Sequence, residues 1–167
     1  MTRILSLLCF AFFLTACNNG PSAAEIAAEE ATAAAQEQAY ETMMDAHDRV
    51  MPLMGQITAS QRSVMEELKG DKLAEDRKEL LTAISEQLED ANDGMMEWMG
   101  NLKPLDELRA SMGNDAIMTY VQQEAADIAK VETAMTTAIA AAKDVVDAHD
   151  HDHGDGDHSH DHSDHKH

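Results

Sequence analysis

The stretch that decides the fold is LAEDRKELLTAISEQLEDANDGMMEWMGNL, residues 73–102. Leu73, Leu80, Ile84, Leu88, Ala91, Met95, Trp98 and Leu102 recur in it at steps of three, four and seven. A strand would alternate every second residue. This spacing instead lines one face of a helix, so the pattern predicts a helix from about Lys72 to Asn101 with a near-heptad stripe. Gly100 and Pro104 supply the stop.

Working outward, Gly70-Asp71 is a turn signal. Before it, Tyr40, Met44, His47, Met51, Met54, Ile57, Val64, Met65 and Leu68 stand mostly three or four apart, which predicts a first helix from about Ala23 to Leu68. Pro52 interrupts that run and lacks a backbone donor, so the helix is expected to kink or split there. Ala23 to Gln38 is alanine-rich and is expected to be a helical extension or stalk, not core. After residue 102 a short segment from Leu105 to Ser111 precedes a break at Gly113. A third long helix then carries Ile117, Val121, Ile128, Val131, Met135, Ala138, Ala142 and Val145 to about His149, with Asn114 or Asp115 able to cap it.

The expected fold is therefore all-α: a long antiparallel three-helix up-down-up bundle spanning 23–148. Scarce aromatics and only three prolines agree with long helices.

The two ends carry different signals. MTRILSLLCFAFFLTA, residues 1–16, has one positive charge, an apolar run and small residues before Cys17, and is expected to be a secretory signal. Leu14-Thr15-Ala16-Cys17 has the form of a bacterial lipobox, which would make Cys17 the lipidated first mature residue and 17–22 its linker. Several acyl chains on Cys17 would anchor the protein stably to a membrane, where one chain would be marginal. Asn18 after the cysteine favours the outer membrane, facing the periplasm. Cys9 would leave with the signal and Cys17 would be acylated, so no thiol would remain for a disulfide, a nucleophile or a metal.

At the other end, 149–167 reads HDHDHGDGDHSHDHSDHKH, with eight histidines, six aspartates and no apolar residue. Such a segment cannot bury enough surface to offset its ordering entropy and is expected to be a disordered tail. Its donors are His149, His151, His153, His158, His160, His162, His165 and His167, interleaved with Asp150, Asp152 and Asp161 among others. Imidazole and carboxylate ligands suit Zn, Cu and Ni ions, and dense alternation lets neighbours close on one ion. A transporter or another envelope protein would be the natural recipient.

The formal charge is −20, and loss of Arg3 with the signal would make it −21. So acidic a chain repels nucleic acid and concentrates cations. There is no GxSxG, HExxH or glycine-rich phosphate loop, so no enzyme activity is expected.

The methionines raise a separate question. Met44, His47, Met51 and Met54 share a helical face. An antiparallel turn centred at Gly70 would set Met44 against Met96, His47 near Asp93 and Tyr40 near Gly100. Met44, His47, Met51, Met95, Met96 and Met99, with Met118 nearby and Trp98 beside them, would then form a Met/His pocket. Three readings stay open: a methionine-filled core, a Cu(I) site of thioethers and imidazole, and a groove for an apolar ligand or peptide. For His47 the available partners are Asp93, Asp48 and Glu97.

MMDAHDRVMPLMGQI and LEDANDGMMEWMGNLKP resemble a group of small bacterial helical lipoproteins with HDxxMPxMG-like and MMxWM segments, often labelled "viral A-type inclusion protein". The resemblance covers about residues 40–104 and the lipobox-and-helices layout. It implies a helical envelope protein with no established reaction, and the His/Asp tail is not part of the shared pattern. Two functions follow as expectations: a lipid-anchored periplasmic protein that buffers, sequesters or delivers metal through the tail, or a non-catalytic structural or interaction lipoprotein of the envelope.

Overall fold

The computed structural model describes residues 20–152, with side-chain surroundings through Ala148. Within them the chain is all-helical: α1 (Ala23–Leu68), α2 (Glu75–Asn101), α3 (Leu105–Ser111) and α4 (Asn114–Asp152), packed together. Cys17 and residues 153–167 lie outside the described residues, and so do the side chains of His149, Asp150, His151 and Asp152.

α1 starts where capping chemistry dictates. Ser22 accepts a hydrogen bond from the Glu25 N–H while the Glu25 carboxylate accepts one from the Ser22 N–H at 2.7 Å, so each satisfies a donor that the first turn leaves unpaired. At its far end the Gly70 N–H donates to the Glu67 carbonyl at 3.0 Å. A Cβ on Gly70 would come within 3.2 Å of that oxygen, which is why a residue without one closes the turn. α1 is not split at Pro52, as the sequence suggests, but runs through it as one helix. Pro52 lacks the N–H that would reach the Asp48 carbonyl one turn back. Its side chain is exposed, so the ring meets no packed neighbour across a seam.

The core is built from seven-residue lines. Met43, Val50, Ile57 and Val64 are buried on α1, with Gln36 one heptad before them. Leu81, Ile84, Leu88, Ala91, Met95 and Trp98 do the same on α2, and Ile117, Val121, Ile128, Met135, Ala138, Ala142 and Val145 on α4. Buried leucine, isoleucine and methionine side chains of this kind each contribute about 2 kcal/mol relative to exposure.

The α4 stripe matches the expectation closely, and on α1 Ile57 and Val64 are buried as expected while the positions before them are displaced by one residue. Met43 and Val50 are buried where Met44 and Met51 were expected, and Met65 is exposed beside buried Val64. On α2, Leu81 is buried and Leu80 exposed. Each displacement falls at an adjacent apolar pair, where helical period alone cannot say which member faces inward.

Polar contacts fix the directions. Arg77 on α2 donates from Nε to Glu67 Oε1 of α1 at 2.7 Å and from Nη2 to the Val145 carbonyl of α4 at 2.6 Å. At the opposite end Arg109 of α3 donates to Gln36 Oε1, Glu37 Oε2 and the Ala33 carbonyl of α1. Gln36 in turn donates to Asn114 Oδ1 at the start of α4, 3.0 Å away. Buried Gln36 thus has its amide satisfied on both sides. The alanine-rich start of α1 is docked from Ala33 onward, and only the turns before it stand clear as the expected extension.

These contacts join the end of α1 to the start of α2 and the end of α4, and the start of α1 to α3 and the start of α4. No helix among the described residues is long and apolar enough to cross a membrane.

Candidate functional site

His47 and Trp98 join the two methionine-rich segments. Their rings stack with centroids 5.7 Å apart and an interplanar angle of 25°. His47 lies one turn from Met44 and one from Met51 on α1. Trp98 projects from α2 between Met95 and Met99.

Each ring is held by one hydrogen bond. His47 Nδ1 lies 2.9 Å from Asp48 Oδ1, and because an ionised carboxylate only accepts, Nδ1 is the protonated nitrogen. The lone pair of the neutral ring is then on Nε2. Trp98 Nε1 donates to the Glu124 carbonyl of α4 at 3.2 Å, so the indole spans the space between α1 and α4. Of the three partners considered for His47, Asp48 is the one it uses.

The register across this seam differs from expectation by a turn. His47 is level with Trp98, five residues beyond Asp93. Likewise Tyr40 reaches past Gly100: its hydroxyl donates to the Lys103 carbonyl at 3.1 Å. The reason is the length of the connection. α2 begins at Glu75, not Lys72, so the turn from α1 is centred later than Gly70.

Two tyrosines then fix the corner after α2, because Tyr120 of α4 accepts the Lys103 N–H at 2.9 Å. Burial raises the pKa of both phenols.

The methionines of the expected pocket divide by burial. Met95 is fully enclosed, as are Met43 and Met135 elsewhere in the core. Met44, Met54, Met99 and Met118 are half-buried. Met51 and Met96 are exposed at 39% and 53%. The two segments do meet, through the His47–Trp98 stack, but with Met51 and Met96 exposed they do not form one enclosed chamber.

The largest groove described lies elsewhere, between α2 and α4. It is about 720 Å³, lined by Ala91, Ala126, Ala129, Thr133 and their neighbours, and none of the methionine cluster borders it. Among the described residues no three His, Cys, Asp or Glu side chains converge as metal ligands. Sequence reasoning missed Arg77, Arg109 and Gln36. The available signal was Gln36 itself, seven residues before Met43 on the heptad line.

No family model matches the chain, and no curated protein or solved structure is detectably similar to it.

Proposed function

We propose that this protein is a lipid-anchored envelope protein, held at Cys17 on the periplasmic face of the outer membrane, that gathers divalent transition metal through residues 149–167. The observation that carries the reading is the interleaved His/Asp segment, whose borderline donors match Zn, Cu and Ni. Buffering, sequestration or handover to a transporter are the uses such a collector serves, with no catalysis involved.

In this reading the three long helices are an up-down-up bundle with its two ends apart. The lipid then sits before α1, and the metal-binding segment begins in the last turn of α4, which runs to Asp152 into the stretch expected to be disordered, and continues beyond it. α4 has 39 residues, which at 1.5 Å each would hold the segment about 60 Å along the bundle from the end at which α4 starts. That distance would present captured metal to a partner in the periplasm.

Isothermal titration with Zn(II) tests the proposal on the mature full-length chain, against a variant with the eight tail histidines changed to asparagine. Uptake should vanish in the variant, and equal uptake by both would refute it. Binding should also weaken as pH falls through about 6.5, since ligation needs neutral imidazole. The competing reading, an interaction lipoprotein whose tail is incidental, would be favoured by an envelope partner that stays crosslinked when chelator is present.

A further inference from the structure

The methionines on either side of His47 are only partly accounted for by core packing: Met44 and Met99 pack at the core's edge and Met51 is exposed. A thioether recruited to fill a core belongs inside, and Met43, Met95 and Met135 are there. Met44 and Met51 instead lie one turn to either side of His47 on α1, and Met99 follows Trp98 on α2, all three half-buried or exposed.

We propose that Met44, His47, Met51 and Met99 form a binding site for a soft monovalent cation, Cu(I) in the cell, with the Trp98 ring as its inner wall.

Three features of the geometry support this. Met44, His47 and Met51 stand at i−3, i and i+4 on one helix, the spacing that brings side chains of successive turns together on one face. The facing helix adds Met99 beside Trp98, which is level with His47. Thioethers select Cu(I) over harder ions, and one imidazole completes a low-coordinate soft set.

The imidazole is already prepared. Asp48 Oδ1 lies 2.9 Å from Nδ1, the carboxylate–histidine arrangement that fixes the tautomer and orientation of a ligating ring. Trp98 stacks at 5.7 Å from the His47 ring, close enough for its face to meet a cation bound at the ring's edge.

This site shares no residue with the His/Asp tail and differs from it in metal preference. It adds to the metal-handling reading above without needing the tail.

Trp98 is the only tryptophan in the chain, so its emission reports on this site. The probe is Ag(I), a redox-inert substitute for Cu(I), added to the mature full-length chain whose tail histidines are asparagine. Trp98 emission should quench with an end point at one equivalent. Cu(I), delivered without oxygen from a competing chelator, should do the same.

Met44→Leu with Met51→Leu keeps side-chain volume and should weaken the apparent affinity at least ten-fold. His47→Phe keeps the stacked ring but removes the nitrogens, and should abolish the response. Met65→Leu, on the same helix but three turns or more away, should change nothing. Zn(II) added to the unmodified chain should load the tail and leave Trp98 emission unchanged.

Unaltered emission with Ag(I), or an unchanged affinity in the double leucine variant, would overturn the site. Loss of Zn(II) uptake alone would concern the tail and not this seam.

Discussion

α1 and α2 both bury a seven-residue line, yet one could be read from sequence far better than the other. On α2 the buried residues Ile84, Leu88 and Ala91 are flanked by polar, charged or small neighbours, so period and phase are both visible there, before the Met95-Met96 pair is reached. On α1 the apolar positions come in adjacent pairs, Met43-Met44, Val50-Met51 and Val64-Met65. Period is visible there and phase is not. The difference teaches that a helix advertises its inner face through contrast with its neighbours, and that methionine, apolar yet tolerated at a rim, removes the contrast.

The sharpest way to break this comparison uses one residue type at two phases. Met43→Ala should lower the unfolding free energy by about 2–5 kcal/mol, the usual range for emptying a core site, while Met65→Ala should fall within about 0.5 kcal/mol. Urea midpoints at constant m-value would measure both. Similar losses would mean that the inner line of α1 is misassigned.

Pro52 is the next difference, since α2 has no such residue. A proline inside a helix costs about 3 kcal/mol relative to alanine. Pro52→Ala should therefore raise stability by up to about 3 kcal/mol, seen as a higher urea midpoint, because the exposed ring contributes no burial. A destabilised variant would show that the proline is needed for the packing of α1 on its neighbours.

Arg77→Ala should cost about 2 kcal/mol by the same measurement. It leaves the Glu67 carboxylate, whose side chain is 8% exposed, without its cation, and the Val145 carbonyl without its donor. The lower part of the range for buried pairs applies because Arg77 itself is 23% exposed. An unchanged midpoint would mean that the end of α1 and the start of α2 do not depend on this clamp.

The smallest effects are in pH dependence. Ser22 holds the Glu25 pKa below its ordinary 4.5, and Lys130 and Gln123 hold Asp127 below 3.8. Depressed carboxylates stabilise the fold above their ordinary values and cease to do so as pH falls through the lowered ones. Tyr40 and Tyr120, raised above 10, behave oppositely: their contribution is complete below pH 10 and is lost as pH rises through the raised values. Circular-dichroism melts at pH 3, 7 and 11 should show a modest fall at both extremes. The alkaline part should be absent in a Tyr40→Phe, Tyr120→Phe chain.

Much of the fold was legible before any coordinates. The limits of α1 and α3, the stop of α2 and the stripe of α4 follow from period, proline and glycine. The candidate site was half legible: helical spacing put Met44, His47 and Met51 together and directed them at the MMEWMG segment. It put His47 opposite Asp93 where Trp98 stands, because a turn longer than its glycine signal shifts every pairing along the seam. Arg109 and Gln36 were invisible for a different reason. A hydrogen bond between residues 73 apart in sequence leaves no local pattern.

The sequence by itself determined that this chain is helical and where α1 and α3 begin and end, because period, proline and glycine are local signals. Only the tertiary structure decided which methionines are core and which are left half-buried or exposed, because burial depends on how far one helix slides and rotates against the next. That freedom is removed by contacts such as His47–Trp98 and Arg77–Glu67, between residues far apart in the chain.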